Sequence, residues 1–558
     1  MTRDLSRLAS DVFDVLVIGA GIHGAFVAWD AVLRGCSVAV VERGDFCGGT
    51  SANSLKTIHG GLRYLQGADF RRMRASTNER STFLRLAPHL VQPLPFLAPT
   101  HGLGTRGTLA MRVALRIADL VGFDRNRGLT GDSTLPAGRV ISRRECLRLF
   151  PGCDRPEVTG GALWFDALAT DTERLVLSVL IAAAERGAVL ANRVASSGPL
   201  ESRDGVHVVP VDDLAGRSRF DVRARTIVNT GGPWAHDVNL ALTPTSTPPI
   251  ADPAALALNL VVGRRLVDLA VGVRSPAGAD RDPIVGGGRT LFMAPWRHST
   301  LVGTAYAPAP AGGRSPTLAD VGGFIDELNE ACPSLQLSIA DVTMCHWGRV
   351  PLAGGAGRGR PTALADSPRI VDHGSVGGPP GLVTVVGVKY TTARRVAALA
   401  VDVVARRLGR QLAECRTATT PIYGTDDGGP LATKADRPPD ALARLRLGHG
   451  RRAAWVASRV ADVPRWHEPV AAGAEVLRGE VVHAVRDEMA LTLGDVVFRR
   501  TGAGTEGEPP RGHLVAMAEL MGGVVGWDGE RCAEEVEAVR RAYAPLTPRT
   551  SEDEGAVP

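Results

Sequence analysis

The sequence has no uninterrupted apolar run of about eighteen residues, the length that a membrane-spanning helix needs. Its first ten residues carry charges and lack the apolar core and cleavage site of a secretory signal. The eight cysteines form no C-x-x-C motif and no dense framework, which argues against a structural zinc finger and a secreted disulfide scaffold. These absences favour a cytoplasmic protein in a reducing compartment.

Lysine is scarce, whereas arginine, alanine and glycine are abundant. The 64 basic and 59 acidic residues give a net charge of +5, a mixture that argues against nucleic acid as a partner. At 558 residues and 44% apolar content, the chain can bury several cores. We therefore expect two to four domains.

A glycine-rich motif near the N-terminus carries the strongest signal. Gly19, Gly21 and Gly24 follow an apolar run and precede a helical pattern, and Glu42 ends the next apolar run. Gly19 permits a sharp turn, Gly21 lets the backbone approach a pyrophosphate, and Gly24 lets the helix lie close to the sheet. Glu42 is placed to accept hydrogen bonds from a ribose. A tight turn would explain the glycines alone, but the whole unit predicts a bound dinucleotide at a helix N-terminus.

A polar loop follows this unit. Its small hydroxyl residues, its lysine and its Gly-Gly pair suit phosphate, ribityl hydroxyls and the edge of a flavin ring. A solvated loop is the alternative, but it does not explain the basic residues beside a nucleotide fold. The residues that we assign to the cofactor in this loop are Thr50, Ser51, Ser54, Lys56, His59, Gly60 and Gly61.

Three segments closely resemble the FAD-dependent glycerol-3-phosphate dehydrogenases. They are the glycine-rich motif with Glu42, the loop ending in Ile58-His-Gly-Gly-Leu-Arg-Tyr-Leu65, and Ala87-Pro-His-Leu90. These enzymes are members of the D-amino-acid-oxidase-like flavoprotein superfamily, and glycerol-3-phosphate oxidases share much of the pattern. The resemblance covers nearly the whole chain. It implies FAD as cofactor, hydride transfer from a CH–OH or CH–NH carbon to flavin N5, and quinone or oxygen as electron acceptor.

The resemblance also implies the architecture. We expect an α/β protein with a Rossmann-like FAD-binding domain, an inserted α+β substrate domain and a C-terminal all-helical domain. The expected boundaries are 1–90, 166–250 and 351–409 for the FAD-binding domain, 91–165 and 251–350 for the substrate domain, 410–546 for the helical domain, and 547–558 for a disordered tail.

Two further segments resemble cofactor-contacting turns of the family. Thr230 and Gly231 end an apolar strand at a point where the backbone can close over the dinucleotide. Gly387, Lys389 and Thr391 belong to a strand, turn and helix start. In the family this second turn faces the pyrimidine end of the flavin, and its lysine points into the substrate site.

The resemblance supplies cations for an anionic substrate. Arg63, Arg349 and Lys389 are assigned to catalysis and substrate binding, with Tyr64 as a hydroxyl donor. An arginine fork fits a phosphate bidentately, while a lysine acts as a point charge. Arg349 is displaced by one residue from the family's Gly-Val-Arg-Pro-Leu pattern, which on a strand turns its side chain to the opposite face.

The substrate half of the site departs from the family in its base. Asn259 stands where the resemblance implies a catalytic histidine, and an amide cannot accept the hydroxyl proton of a substrate. His346 is a candidate replacement base, with a structural hydrogen-bond donor as the competing interpretation. We therefore predict slow oxidation of glycerol 3-phosphate. An oxidase of an amino-acid-like or secondary-metabolite substrate, and a catalytically silent FAD-binding paralogue, stay open as alternatives.

Residues 106–128 mix apolar side chains with arginines. The pattern predicts a helix that lies either on the protein surface or on a membrane. The family's dehydrogenases are often peripheral membrane enzymes, so a peripheral contact at the inner face of a membrane stays open. A homodimer and covalent attachment of FAD at His59 are also open at this point.

Overall fold

The computed structural model describes residues 1–102, 104, 106–244, 254–275, 289–308, 315–353, 363–426, 428 and 438–543. Two nine-stranded sheets and a group of C-terminal helices make up the described part of the chain. In these ranges no helix combines the length and the apolar content that crossing a bilayer requires.

The first sheet is the dinucleotide-binding sheet that the glycine motif predicts. Its central strands are parallel and follow the order β17-β18-β11-β1-β2-β7, with only β17 antiparallel to its neighbour β18. Three more strands extend it beside β11. Its strands are β1 (Val12–Ile18), β2 (Val38–Glu42), β7 (Val189–Asn192), β8 (Val194–Ser196), β9 (Glu201–Arg203), β10 (Val206–Asp213), β11 (Ser218–Asn229), β17 (Arg369–Asp372) and β18 (Leu382–Val386).

Helices cover the first sheet. Its central strands are buried over most of their length, as expected for parallel strands with helices on their faces. The helix that begins after the glycine motif packs against two later helices of the same layer, and Phe26 and Trp29 are fully buried there. The helices before the C-terminal group are α1 (Leu5–Ser10), α2 (Ile22–Leu33), α3 (Phe70–Leu86), α4 (Thr108–Val121), α5 (Arg143–Leu149), α6 (Thr172–Glu185), α7 (Ala235–Leu242), α8 (Leu318–Ala331) and α9 (Ala393–Leu408).

The second sheet is mostly antiparallel and lies over the polar loop that follows β2, so we call it the covering sheet. Its order is β16-β12-β15-β14-β13-β4-β6-β3, and β5 also pairs with β6. The strands are β3 (Thr57–Ile58), β4 (Val91–His101), β5 (Arg139–Ser142), β6 (Val158–Ala169), β12 (Ala254–Val262), β13 (Ala270–Arg274), β14 (Thr290–Trp296), β15 (Ser299–Pro308) and β16 (Val342–Pro351). One face of this sheet packs on α8, while the other faces the polar loop of the FAD-binding domain.

The C-terminal part is helical, as expected, and its helices are α10 (Pro439–His449), α11 (Ala453–Arg459), α12 (Arg478–Asp487), α13 (Arg511–Val525) and α14 (Gly529–Arg541). Buried ion pairs join it to the first domain. Asp45 pairs with Arg499 and Arg500, and Arg174 pairs with Glu488. Since all five side chains are largely withdrawn from water, the two domains share one polar interface.

One expectation about organisation differs from the structure. The substrate sheet starts inside the predicted range 1–90, because β3 pairs with Leu168 and Ala167 of β6, and β6 itself runs past the predicted limit at 165. The predicted tail 547–558 lies outside the described residues.

Candidate functional site

The first turn of the dinucleotide unit has the shape that a pyrophosphate requires. Gly19 adopts φ +99°, and a Cβ on Gly24 would lie 1.9 Å from the Gly19 carbonyl oxygen. Ala20 N–H donates to Glu42 Oε2 at 2.8 Å. The N-terminus of α2 is open on its ligand side except for Ser51, whose Oγ accepts from Ile22 N–H at 3.0 Å. These contacts form the close backbone approach that a bound pyrophosphate needs.

The other residues assigned to the cofactor surround this turn. Thr230 closes over it, with its hydroxyl donating to the Gly19 carbonyl at 2.7 Å. At the second turn, Gly387 leaves room for His23, whose Nε2 is buried without a hydrogen-bond partner among the described atoms. Burial lowers the pKa of His23 to about 4, so this imidazole is neutral near pH 7. Thr50, Ser54, Gly61, Gly231 and Thr391 lie in the same two turns and their flanking loops.

Lys56 has a different role from the predicted one. Its side chain is fully buried, and Nζ lies 3.1 Å from both oxygens of Glu173. The same ammonium donates to Thr172 Oγ1 at 2.9 Å and to the Ala52 carbonyl at 3.0 Å. Because these partners use all three of its protons, Lys56 anchors the cofactor loop to α6 and does not offer its charge to the cofactor.

Two residues assigned to substrate meet beside the polar loop. Lys389, from the second cofactor turn, donates a hydrogen bond to the Tyr64 hydroxyl and lies 4.6 Å from the centre of its ring, although the two residues are 325 positions apart in sequence. Arg63 precedes Tyr64 on the 3-10 helix Leu62–Gly67 and is exposed. A lysine that meets a phenol hydroxyl provides donors for an anionic group.

His59 forms a dyad with Asp166 that the sequence analysis missed. His59 Nδ1 lies 3.1 Å from Asp166 Oδ2. The Gly60 N–H donates to Asp166 Oδ1 at 2.6 Å, and Arg80 Nη1 donates to the same oxygen at 2.9 Å. A Cβ on Gly60 would lie 2.1 Å from that guanidinium, so only glycine admits Arg80 here. The signal was present in Trp164-Phe-Asp166, but no local pattern joins it to His59.

The charge state of Asp166 sets the tautomer of His59. Burial alone would raise the pKa of Asp166, but the hydrogen bond from His59 and the nearby Arg80 hold it well below its usual range. An ionised carboxylate only accepts hydrogen bonds, so the proton between the two side chains belongs to His59 Nδ1. The neutral imidazole then has its lone pair on Nε2. His59 is 44% exposed, and its ring lies 6.0 Å from Phe292 of the covering sheet.

The covering sheet separates the remaining candidates by face. Asn259 and His346 are directly paired on β12 and β16, so their side chains share the face toward the cofactor loop. Gly348 lies on that face too, since its Cβ would meet the Thr50 side chain. Arg349 is one residue further along and lies on the opposite face. The one-residue displacement thus removes Arg349 from the substrate side, which corrects its assignment to catalysis and substrate binding.

The structure also corrects His346 as a replacement base. His346 is 3% exposed, and its Nε2 lies 3.0 Å from the Thr505 carbonyl, to which it donates. Burial, helped by the charges of Lys56 and Arg297, lowers its pKa to about 3. Buried and held by a carbonyl, His346 acts as the structural donor that was its competing interpretation. Asn259 is likewise buried, and its Oδ1 accepts from Thr304 Oγ1 at 2.8 Å.

Comparisons with known proteins agree with this geometry. A family described as FAD dependent oxidoreductase matches residues 14–402, and one described as the C-terminal domain of alpha-glycerophosphate oxidase matches residues 415–532. The glycerol-3-phosphate dehydrogenase of Synechocystis sp. is 30% identical over 96% of this chain and 97% of that protein. Glycerol-3-phosphate dehydrogenase 1 of Mycobacterium bovis is 34% identical over 93% and 96%.

A solved structure extends the agreement to the fold. The glycerol-3-phosphate dehydrogenase from Bacillus halodurans, complexed with FAD, aligns with a TM-score of 0.73 at 22% identity. The alignment covers 98% of this chain and 97% of that one.

The glycine-lined turns, the open helix N-terminus and the sheet above them define an FAD-dependent oxidoreductase. The residues present fit FAD, since Gly19 packs against the backbone of Thr230 and Gly24 against the Gly19 carbonyl, which brings strand, turn and helix N-terminus as close together as a dinucleotide-binding unit requires. The chain belongs to the FAD-dependent glycerol-3-phosphate dehydrogenase family, which confirms the resemblance, the predicted fold class and FAD as cofactor.

Proposed function

We propose that this protein oxidises a small phosphorylated alcohol, and that glycerol 3-phosphate is its substrate. The observation that carries the proposal is the meeting of Lys389 with Tyr64 beside the exposed Arg63. A phosphate accepts paired hydrogen bonds from an arginine and a charge-assisted one from a lysine. The curated relatives, named glycerol-3-phosphate dehydrogenases, are similar over nearly their full length, which supports the same substrate class.

The protein's own residues divide the chemistry among them. When bound, FAD supplies the acceptor for the hydrogen on the carbon that carries the hydroxyl group. His59 Nε2 takes the hydroxyl proton, and Asp166 orients the ring and stabilises the resulting imidazolium. Arg63, Tyr64 and Lys389 hold the phosphate. The covering sheet, with Phe292 beside His59, excludes water from the reacting carbon.

Anaerobic mixing of the purified yellow protein with glycerol 3-phosphate tests the proposal. We expect the absorbance of the oxidised flavin to bleach with glycerol 3-phosphate and to stay unchanged with glycerol, which lacks the phosphate. An equal response to glycerol, or bleaching only by amino acids, would reject the phosphorylated substrate. A flavin that every candidate leaves oxidised would instead favour the catalytically silent alternative.

Two arginines of this region form a matched pair of variants. Arg63→Ala should lower kcat/KM for glycerol 3-phosphate by about 2–4 kcal/mol of transition-state stabilisation, the scale of losing one charged partner. Arg71 is also exposed and lies nearby on α3. Arg71→Ala should leave kcat/KM unchanged. Equal effects of the two substitutions would mean that only the general positive charge of the surface matters.

We also propose that α4 contacts an anionic membrane surface, where a quinone acceptor would be reached. Leu109 and Leu120 are 71% and 74% exposed, and Phe123, just beyond the helix, is 78% exposed. Arg112 and Arg116 are exposed between these apolar side chains on the same side of the helix. Leucines and a phenylalanine interleaved with arginines suit the boundary between acyl chains and anionic headgroups.

Co-sedimentation with vesicles tests this contact. The protein should bind vesicles of phosphatidylcholine and phosphatidylglycerol better than vesicles of phosphatidylcholine alone, and Leu109→Asp with Leu120→Asp should abolish the binding. Leu214→Asp changes an exposed leucine between β10 and β11 and serves as control. Unchanged binding in the double variant would exclude α4. A loss of dimers without any vesicle binding would make α4 a contact between copies of the chain.

A further inference from the structure

Three potential metal ligands converge in the C-terminal domain, away from the glycine-lined cofactor turns. His449 is the last residue of α10, His483 lies on α12, and Glu488 follows the end of α12. Their relative exposures are only 3%, 2% and 1%. One ligand atom from each residue lies within 4.8 Å of the others. The reaction proposed above uses none of the three.

The two imidazoles are held in the way that metal-binding histidines are held. His449 Nδ1 lies 2.8 Å from the Tyr423 hydroxyl, and His483 Nδ1 lies 3.0 Å from Asp487 Oδ2. An oxygen partner on Nδ1 fixes the ring and leaves Nε2 for the metal. His483 Nε2 is buried and forms an ion-pair contact with Glu488 Oε1 at 3.4 Å. A metal would replace this contact and take both atoms as ligands.

The separations match a tetrahedral ion. Zinc bonds of 2.0–2.1 Å place neighbouring ligand atoms about 3.4 Å apart and the centres of two Nε2-bound imidazoles about 5 Å apart. The distance from His483 Nε2 to Glu488 Oε1 is 3.4 Å, and the ring centres of His449 and His483 are 5.2 Å apart. We propose that His449, His483 and Glu488 form a zinc site. A water molecule would complete the four ligands.

The surrounding charges are compatible with this ion. Arg174 binds both oxygens of Glu488, with Nη1 at 2.5 Å from Oε1 and Nη2 at 2.9 Å from Oε2. Each carboxylate oxygen has two lone pairs, so Oε1 can accept from the guanidinium and still bind a metal. Asp487 adds a second negative charge beside His483. The guanidinium of Arg459 lies 2.6 Å from the far side of Asp487. The ion would take the place of the proton that His483 otherwise shares with its two acidic neighbours.

A zinc ion at this position would fasten the C-terminal domain to the cofactor domain. The ion would link the end of α10 to α12. The ion pair between Glu488 and Arg174 would extend this link to α6. The neighbouring residue Glu173 holds Lys56 of the cofactor loop. The ion therefore contributes to stability at the domain interface and stays apart from the transfer of hydride.

Metal analysis of the FAD-loaded protein tests the site. After removal of metals with a chelator and dialysis against Zn²⁺, we expect one zinc ion per chain, and Co²⁺ should give the visible absorption of a tetrahedral ion. His449→Phe and His483→Phe should each weaken zinc affinity by about 100-fold or more. His298→Ala, which removes an exposed histidine, should leave the stoichiometry unchanged. Zinc retained at wild-type affinity by both phenylalanine variants would overturn the proposal.

Two further measurements test the site even if a phenylalanine variant fails to fold. The unmodified protein must itself take up stoichiometric zinc, and a wild-type chain that binds none would refute the site. His483→Gln preserves a hydrogen-bonding side chain. Zn²⁺ should raise the Tm of the wild-type protein and leave that of His483→Gln unchanged, because only a ligand bound to the folded state stabilises it. An equal rise in both would also overturn the site.

Discussion

Replacing Asp166 by asparagine isolates the role of the carboxylate in the His59 dyad. The substitution keeps the size of the side chain and leaves one oxygen for the Gly60 N–H. It removes the negative charge 3.1 Å from His59 Nδ1 and places an amide in the position of an obligate acceptor. His59 then loses both the fixed tautomer and the charge that stabilises its protonated form.

The exposure of His59 determines how much transition-state stabilisation the Asp166→Asn substitution should remove. Two charges about 4 Å apart interact by about 1 kcal/mol in water and about 4 kcal/mol at an effective dielectric constant of 20. Because His59 is 44% exposed, we place the loss between these limits, at about 2–3 kcal/mol. The rate of flavin reduction should then fall about 30- to 150-fold, which is at or below the lower end of the range of about 10²–10⁴-fold that general-base assistance supplies.

Stopped-flow reduction of the flavin under anaerobic conditions measures this rate. In a double-mutant cycle, His59→Gln with Asp166→Asn should be no slower than His59→Gln alone, because Asp166 acts through His59. Asp124→Asn, at a surface carboxylate paired with Arg74, serves as control and should reduce at the wild-type rate. Full FAD content and a wild-type rate in Asp166→Asn would refute the dyad, and so would independent, multiplying effects of the two substitutions.

Three further predictions concern the cofactor loop and the domain interface. Lys56→Met should lower stability in urea unfolding by about 3–5 kcal/mol by leaving Glu173 buried without its partner, and adding Glu173→Gln should recover part of the loss. Gly24→Ala should purify folded but without yellow colour, because its methyl group would meet the Gly19 carbonyl, whereas Gly323→Ala has open space and should keep FAD. Burial alone would raise the pKa of Asp45, but Arg500 and Arg499 hold it well below its usual range. The stability that the ion pairs of Asp45 contribute is therefore complete above about pH 4 and is lost as the pH falls further. Between about pH 4.5 and 2.5, the Tm of the wild type should fall more steeply than that of Asp45→Asn.

The sequence predicts the glycine-rich turn of the dinucleotide-binding unit because that turn depends on a local pattern. Gly19, Gly21 and Gly24 occur within one turn, and their roles follow from the backbone alone. The alternation of faces along a strand already indicated that the displaced Arg349 would turn to the opposite face, although the resemblance assigned it to catalysis and substrate binding. In each case the evidence spans a few residues, which is the range over which a pattern constrains geometry.

The buried partners of single polar residues could not be predicted in this way. His59 meets Asp166 across 107 residues, and Lys56 meets Glu173 across 117 residues. Both contacts depend on β3 pairing with β6, a two-residue strand with no sequence signal of its own. The basic residues of the loop therefore all suggested the cofactor, although the fold withdraws Lys56 into a buried ion pair and gives His59 a carboxylate.

The contacts of Asn259 indicate a structural role for its side chain. Its Oδ1 accepts from Thr304, and its Nδ2 lies 3.4 Å from the Asn53 carbonyl of the cofactor loop. Its amide therefore joins β12 and β15 to the loop that carries His59. An amide suits this position because its oxygen accepts from Thr304 while its NH2 group, close beside it, donates toward Asn53. The prediction of slow oxidation considered residue 259 and His346 as the positions for the base. The proposed dyad of His59 and Asp166 is a third position, so an asparagine at residue 259 does not by itself predict slow oxidation.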